Sequence, residues 1–230
     1  MKTALITGYS SGIGKAISLK LRENGYKVIG IARRDTKNIA NQNIICDLKD
    51  INKLKREIKE LLKKESIDIL INSAGVGVFK PHEEINIEKI DEVIDINLKA
   101  PIALTNLLLR ELKKNQGHII NISSIESIRS SKFSALYSAT KSGLRAFSLS
   151  LFEELRRADV KVTNINPDIT KTPFFDNLNF QPSKREKTHI LSDEIANSVL
   201  FILETSSVIT ELTIRPQRVE IEKKKATKNV

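Results

Sequence analysis

A single cysteine, Cys46, occurs in the 230 residues, so the chain cannot form an internal disulfide. It closes the apolar run Ile44-Ile45-Cys46 and reads as a buried strand residue; a reactive thiol would want positive charge around it. No apolar run reaches the ~18 residues of a membrane-spanning helix, so no membrane association is expected. The segment Met1-Lys2-Thr3-Ala4-Leu5-Ile6-Thr7-Gly8 enters a strand-like run at once. It has neither the long apolar region nor the small-residue cleavage site of a secretory signal, and a cytoplasmic location is expected. Internal repeats, low-complexity segments and domain linkers are missing, which predicts one domain over residues 1–217. Recognised nucleic-acid motifs are missing too, although the net charge is +10. Lysines and arginines alternate with acids along segments such as Lys53 to Lys64 and crowd only at Lys223-Lys224-Lys225. This predicts solvated helix faces and a flexible basic tail over 218–230, with no nucleic-acid partner.

What is present is an alternation of strand and helix signals. Strands are predicted at Lys2–Thr7, Lys27–Ala32, Asn43–Cys46, Ile67–Asn72, His118–Ser123, Lys161–Asn166 and Thr210–Arg215. Between them, helices are predicted at Gly12–Glu23, Asp50–Lys64, Ile87–Lys114 (bent near Pro101), Ser134–Ala158 and Ser192–Leu203. Strands separated by helices imply right-handed crossovers and a single-domain α/β fold: a doubly wound parallel β-sheet with helices on both faces. Ligands bind such sheets beyond the carboxyl ends of the strands. The irregular stretch Thr172–Ile190 is expected to be a mobile loop near that site.

The first strand leads into Thr7-Gly8-Tyr9-Ser10-Ser11-Gly12-Ile13-Gly14 and then a helix. Glycines here permit a tight turn, close backbone approach to a pyrophosphate, and close helix–strand packing, while the helix N-terminus offers free N–H groups to phosphates. The Lys-Ser/Thr of an ATP or GTP loop is lacking. The pattern Thr-Gly-x-x-x-Gly-Ile-Gly resembles the cofactor turn of the short-chain dehydrogenase/reductase family, whose Rossmann-type fold and nicotinamide chemistry it implies. The resemblance runs over residues 2–215.

In that family an acid at the end of the second strand marks NAD(H). Here the position is Ala32, followed by Arg33 and Arg34, whose planar forks can grip a 2′-phosphate. NADP(H) is therefore the expected cofactor over NAD(H), with Asp35 as a group that could neutralise one arginine. Asp47-Leu48 resembles the family's adenine contact, although an Asp there could equally cap the next helix. Asn72-Ser73-Ala74-Gly75 resembles the family's Asn-Asn-Ala-Gly, with Asn72, Ala74 and Gly75 against the cofactor.

Tyr137-Ser138-Ala139-Thr140-Lys141 puts a phenol and an ammonium four residues apart, on one face of a helix. An adjacent ammonium is expected to lower the tyrosine pKa, making Tyr137 a general acid/base. Ser124 lies just past the fifth strand, where it can hydrogen-bond a substrate oxygen. Strand alternation turns its neighbour Ser123 to the opposite side. These residues match the family's Ser–Tyr–Lys triad. Asn97 matches the family's fourth residue, which by resemblance holds a water that links Lys141 to solvent. In Pro167-Asp168-Ile169-Thr170-Lys171-Thr172, residues Pro167 and Thr172 match the nicotinamide-contacting loop, whose backbone at Ile169 is a further expected cofactor contact, with Asp168 where the family has Gly; Asp tolerates unusual backbone angles better than most residues. Ile125, Glu126, Phe133, Phe174 and Phe175 are candidate pocket residues, and Arg129 could meet a substrate carboxylate. No metal is expected. The resemblance implies a homo-oligomeric (tetrameric or dimeric) oxidoreductase acting on a small carbonyl or alcohol substrate. A catalytically weak NADP(H)-binding sensor of the same fold is the alternative.

Overall fold

The structure is a computed structural model, and it describes residues 1–224. Seven parallel strands form the central sheet: β1 (Thr3–Thr7), β2 (Lys27–Ala32), β3 (Gln42–Ile45), β4 (Ile69–Asn72), β5 (His118–Ile122), β6 (Lys161–Pro167) and β10 (Glu211–Ile214), in the order β10-β6-β5-β4-β1-β2-β3. The chain runs outward from β1 to β3, then crosses back to place β4 on the other side of β1. The switch point therefore lies between Thr7 and Asn72, which are paired in register.

Helices α1 (Gly12–Glu23) and α6 (Ser192–Glu204) cover one face of the sheet; α2 (Ile51–Leu61), α4 (Ala100–Lys114) and α5 (Ala135–Leu155) cover the other. Each helix reads directly from its apolar spacing. In α2, Leu54, Ile58 and Leu61 are buried while the lysines and acids between them face water. Asp50 caps α2, accepting from the Lys53 amide at 2.8 Å. Cys46 is buried, as expected, though it lies one residue past β3; burial pushes its thiol up.

The helix expected over Ile87–Lys114 is not continuous. It comprises α3 (Ile87–Ile94), a π-helical turn Asp95–Lys99, and α4. The irregularity sits immediately before Pro101, which has no N–H to offer the carbonyl of residue 97. Likewise Ser134–Ala158 ends as a 3₁₀ turn over Arg156–Ala158.

The stretch Thr172–Ile190 has its own structure. It contains a 3₁₀ turn at Pro173–Phe175 and strands β8 (Phe180–Pro182) and β9 (Ile190–Leu191), with β9 paired to β7 (Thr170–Lys171). Its partner from the C-terminal side departs from the expected flexible tail: β11 (Ile221–Lys223) pairs antiparallel with β8. Lys224 then donates its amide to the Asn179 carbonyl at 2.9 Å and its ammonium to the carbonyls of Phe175 and Asp176. The rest of the expected tail, 225–230, lies outside the described residues.

Candidate active site

The carboxyl ends of β1, β4, β5 and β6 converge on one edge of the sheet. Thr7, the last residue of β1, is buried, and its hydroxyl accepts from the amides of Ser73 and Ala74, both at 3.1 Å. This ties the Asn72–Gly75 turn to the glycine turn. Gly14 is required there by contact: a Cβ would stand 2.4 Å from the Gly8 carbonyl oxygen. Gly12 has φ +53°, and a Cβ on it would meet Thr172 at 3.3 Å, so the loop after β6 rests on the glycine turn. Ser11 precedes α1 in extended backbone without a side-chain cap, which leaves the first N–H groups of that helix to a ligand. Ser10 is half-buried, and Ile13 packs on the α1–α6 core.

Arg33 and Arg34 follow Ala32 at the exit of β2; both are exposed, and among the described residues neither joins an ion pair. Asp35 instead accepts from the Asn43 side chain. The capping role open to Asp47 is taken by Asp50; the Asp47 carboxylate accepts from the Lys49 amide at 3.0 Å, and Leu48 is buried in the core. Glycines that admit a pyrophosphate and an uncapped helix N-terminus, with two unpaired guanidiniums beyond β2, form a donor set that fits a nicotinamide dinucleotide.

Tyr137 and Lys141 lie one turn apart on α5, both buried. The Lys141 ammonium donates to the Ile122 carbonyl at 2.9 Å and stands 6.0 Å from the Tyr137 ring centroid. The Ser124 hydroxyl lies near enough to the phenol to favour its ionised form. Ser123 points elsewhere, donating to the Lys141 carbonyl at 2.9 Å. A Cβ at Gly75 would lie 3.4 Å from both Lys141 Nζ and Asn97 Oδ1, which brings the β4 turn against the lysine. Asn97, within the π-helical turn, accepts from the Val76 amide at 2.9 Å and donates to the Val76 carbonyl at 2.9 Å and to Thr140 Oγ1 at 3.2 Å. Both its amide hydrogens are thus used within the protein.

The electrostatics correct one expectation. Burial pushes the Tyr137 phenol up to about 12, against the effect of the Ser124 hydroxyl and with the charge of Glu126. Burial likewise brings Lys141 down to about 8. One of the ammonium's three N–H donors goes to a backbone carbonyl, and for both groups desolvation is the largest cause of the shift.

Glu126 and Arg129 differ from pocket residues. The Glu126 carboxylate is buried; burial alone would raise it, but hydrogen bonds from Ser131, Ser134 and Ser138 hold it below the usual range. Arg129 is paired with Glu126 at 3.3 Å and with Asp168 at 3.5 Å, so it is not a free carboxylate receptor. Asp168 needs no unusual backbone angle. Its buried carboxylate accepts from the Ile169 amide at 2.9 Å and from Arg215 Nε at 2.9 Å. Pro167 ends β6, and Thr172 begins the 3₁₀ turn that carries Phe174 and Phe175. Ile125 is buried in the short turn after Ser124, whereas Phe133 is exposed at φ +66° with Lys132 over its ring.

An aromatic cover lies over Tyr137. Phe79 and Phe174 stand 5.2 and 5.9 Å from its ring, and Phe180 and Phe175 close the group behind them. Phe79 and Phe180 were not legible as site residues, and Thr7 and Thr140, although inside the quoted motifs, had no role that could be read from them. Phe79 and Phe180 carry no motif, and the two threonines act through backbone and side-chain contacts that spacing does not reveal.

A parallel sheet with a glycine-rich turn at its switch point and a buried Tyr–Lys pair beside it defines a nucleotide-dependent oxidoreductase. The chain belongs to the short-chain dehydrogenase family, whose family model, described as short chain dehydrogenase, matches residues 2–183. An uncharacterized oxidoreductase of Staphylococcus epidermidis is 34% identical over 227 residues, covering 94% of this chain and 97% of its own. One from Staphylococcus aureus is 35% identical over 229 residues, with the same coverage of 94% and 97%. Among solved structures, an alcohol dehydrogenase from the archaeon Thermococcus sibiricus, complexed with 5-hydroxy-NADP, is 27% identical with a TM-score of 0.84, covering 96% of this chain and 99% of its own. A 4-hydroxyisoleucine dehydrogenase complexed with NADH shares the fold at 24% identity and a TM-score of 0.82, covering 93% of this chain and 96% of its own.

Proposed function

We propose that the protein transfers a hydride between NADP(H) and a carbonyl or secondary alcohol of a small substrate, with Tyr137 as general acid/base. The observation that carries this reading is Ser124 beside the buried Tyr137 phenol, with the Lys141 ammonium 6.0 Å from the same ring, next to a turn that fits a dinucleotide. The NADP-analogue complex of the Thermococcus sibiricus enzyme agrees with the preference read from Arg33 and Arg34.

Bound NADP(H) supplies or accepts the hydride. Ser124 donates a hydrogen bond to the substrate oxygen and sets its distance from Tyr137. In reduction the phenol gives its proton to that oxygen; in oxidation the phenolate takes it back. Lys141 places a positive charge in a water-poor site and stabilises the phenolate when it forms. Asn97 clamps Val76 and Thr140, holding the β4 turn against α5. With both amide hydrogens committed, its backbone carbonyl, which Pro101 cannot serve, is the group that would hold a water for Lys141. Phe79, Phe174 and Phe175 give the substrate an apolar wall. No helix among the described residues is long and apolar enough to cross a membrane. Exposed Ile94 and Ile102 with Leu98 line an apolar groove that fits the proposed homo-oligomer.

A spectrophotometric screen of aldehydes, ketones and oxo acids is expected to find NADPH consumption, with a KM for NADPH at least about tenfold below that for NADH, as one charge-assisted arginine–phosphate contact gives. Equal values would refute the cofactor preference.

A further inference from the structure

The glycine turn carries a large side chain that the reaction above does not use. Tyr9 is fully buried. Its ring lies across β2, where a Cβ at Gly30 would come within 2.4 Å of ring atoms Cγ and Cδ1. Gly30 is thus fixed by packing: it is the space the Tyr9 ring occupies. The phenol oxygen reaches the loop beyond β2 and accepts from the Thr36 amide at 3.3 Å, with the Thr36 hydroxyl as a further hydrogen-bonding neighbour. Thr36 closes the segment Arg33-Arg34-Asp35-Thr36. Residues further along are pinned separately. The Asn41 side chain accepts from the Val28 amide at 2.8 Å, and Arg22 donates to the Asn38 carbonyl at 2.6 Å. Tyr9 therefore connects, in one side chain, the turn that faces the pyrophosphate and the loop that carries the two unpaired guanidiniums.

We infer that Tyr9 is a positioning residue for 2′-phosphate recognition, acting through Thr36 to present Arg33 and Arg34; this rests on the NADP(H) reading. A loop held in its binding conformation loses less freedom when the phosphate arrives. The hydroxyl should therefore matter for a ligand that carries the 2′-phosphate and not for one that lacks it.

The test compares 2′,5′-ADP with 5′-AMP by NMR titration of the whole protein. Tyr9→Phe, which keeps the ring over Gly30, is expected to weaken 2′,5′-ADP about threefold to tenfold, the range for one neutral hydrogen bond, and to leave 5′-AMP unchanged. Gly30→Ala, which displaces the ring, is expected to lose the same discrimination. Should that protein fail to fold, Tyr9→Phe carries the test alone. A Tyr9→Phe protein that discriminates as well as wild type, or one that weakens both ligands equally, overturns the inference alone. Wild-type protein that binds both ligands alike overturns the cofactor reading and the inference with it.

Discussion

At the scale of single residues, Tyr137 and Lys141 are both biased toward their neutral forms. Burial puts the phenol at about 12 and the ammonium at about 8. Tyr137 therefore stays protonated through the neutral range and is ready to act as an acid. Lys141 is charged below about 8 and gives up its proton as the pH rises through that value. In the proposed mechanism, the neutral amine would no longer stabilise the phenolate that proton donation leaves behind. The kcat/KM for carbonyl reduction is expected to hold steady between about pH 6 and about pH 7.5 and to fall above about pH 8. A pH–rate profile that keeps rising past that point would contradict this assignment. Asp168 makes a related point about reading residues. An Asp in place of a family glycine suggests an unusual backbone, but its carboxylate is instead the shared partner of Arg129 and Arg215. Those arginines lie 39 and 47 residues away along the chain, so no local pattern announces them.

At the scale of elements, the segment expected to move is tied down by the segment expected to fray. Strand β11 pairs with β8, Lys224 holds the carbonyls of Phe175 and Asp176, and the Lys184 amide donates to Glu222 at 3.0 Å. The same loop carries Phe174, Phe175 and Phe180 onto Tyr137 and Phe79. Ending the chain after Gln217 removes that support. Limited trypsin digestion should then cut at Lys184, Arg185 or Lys187 at least about tenfold faster than in the full chain, because local opening controls cleavage. Equal cleavage rates would show that the loop holds itself. This pairing was not legible because β8 and β11 are three residues each, too short to show a pattern, and each finds its ladder partner in the other, about 40 residues away. The π-helical turn was legible in part. Pro101 marked the irregularity, but only the commitment of Asn97 to Val76 and Thr140 shows why the wide turn falls at Asp95–Lys99.

At the scale of the whole molecule, the architecture was legible because most strands of the central sheet are short and apolar and, β2 and β3 apart, a helix lies between each strand and the next. Parallel pairing, two covered faces and a switch point beside β1 follow from that order. The catalytic candidates were legible for a similar reason. Tyr137 and Lys141 share a helix, and Ser124 lies two residues past a neighbouring strand, so the order of elements brings them together. The aromatic cover was not, since Phe79 and Phe180 meet only after the sheet, the loop and β11 are assembled. Tyr137 is the residue on which all these levels converge. The most direct measurement is NADPH consumption by Tyr137→Phe, with a substrate found for the wild type, alongside its affinity for NADPH. The protein is expected to fold, to bind NADPH within about threefold of wild type, and to lose roughly 100-fold to 10,000-fold in kcat, the range for a positioned general acid. Wild-type turnover by a folded, NADPH-binding Tyr137→Phe protein would contradict the account.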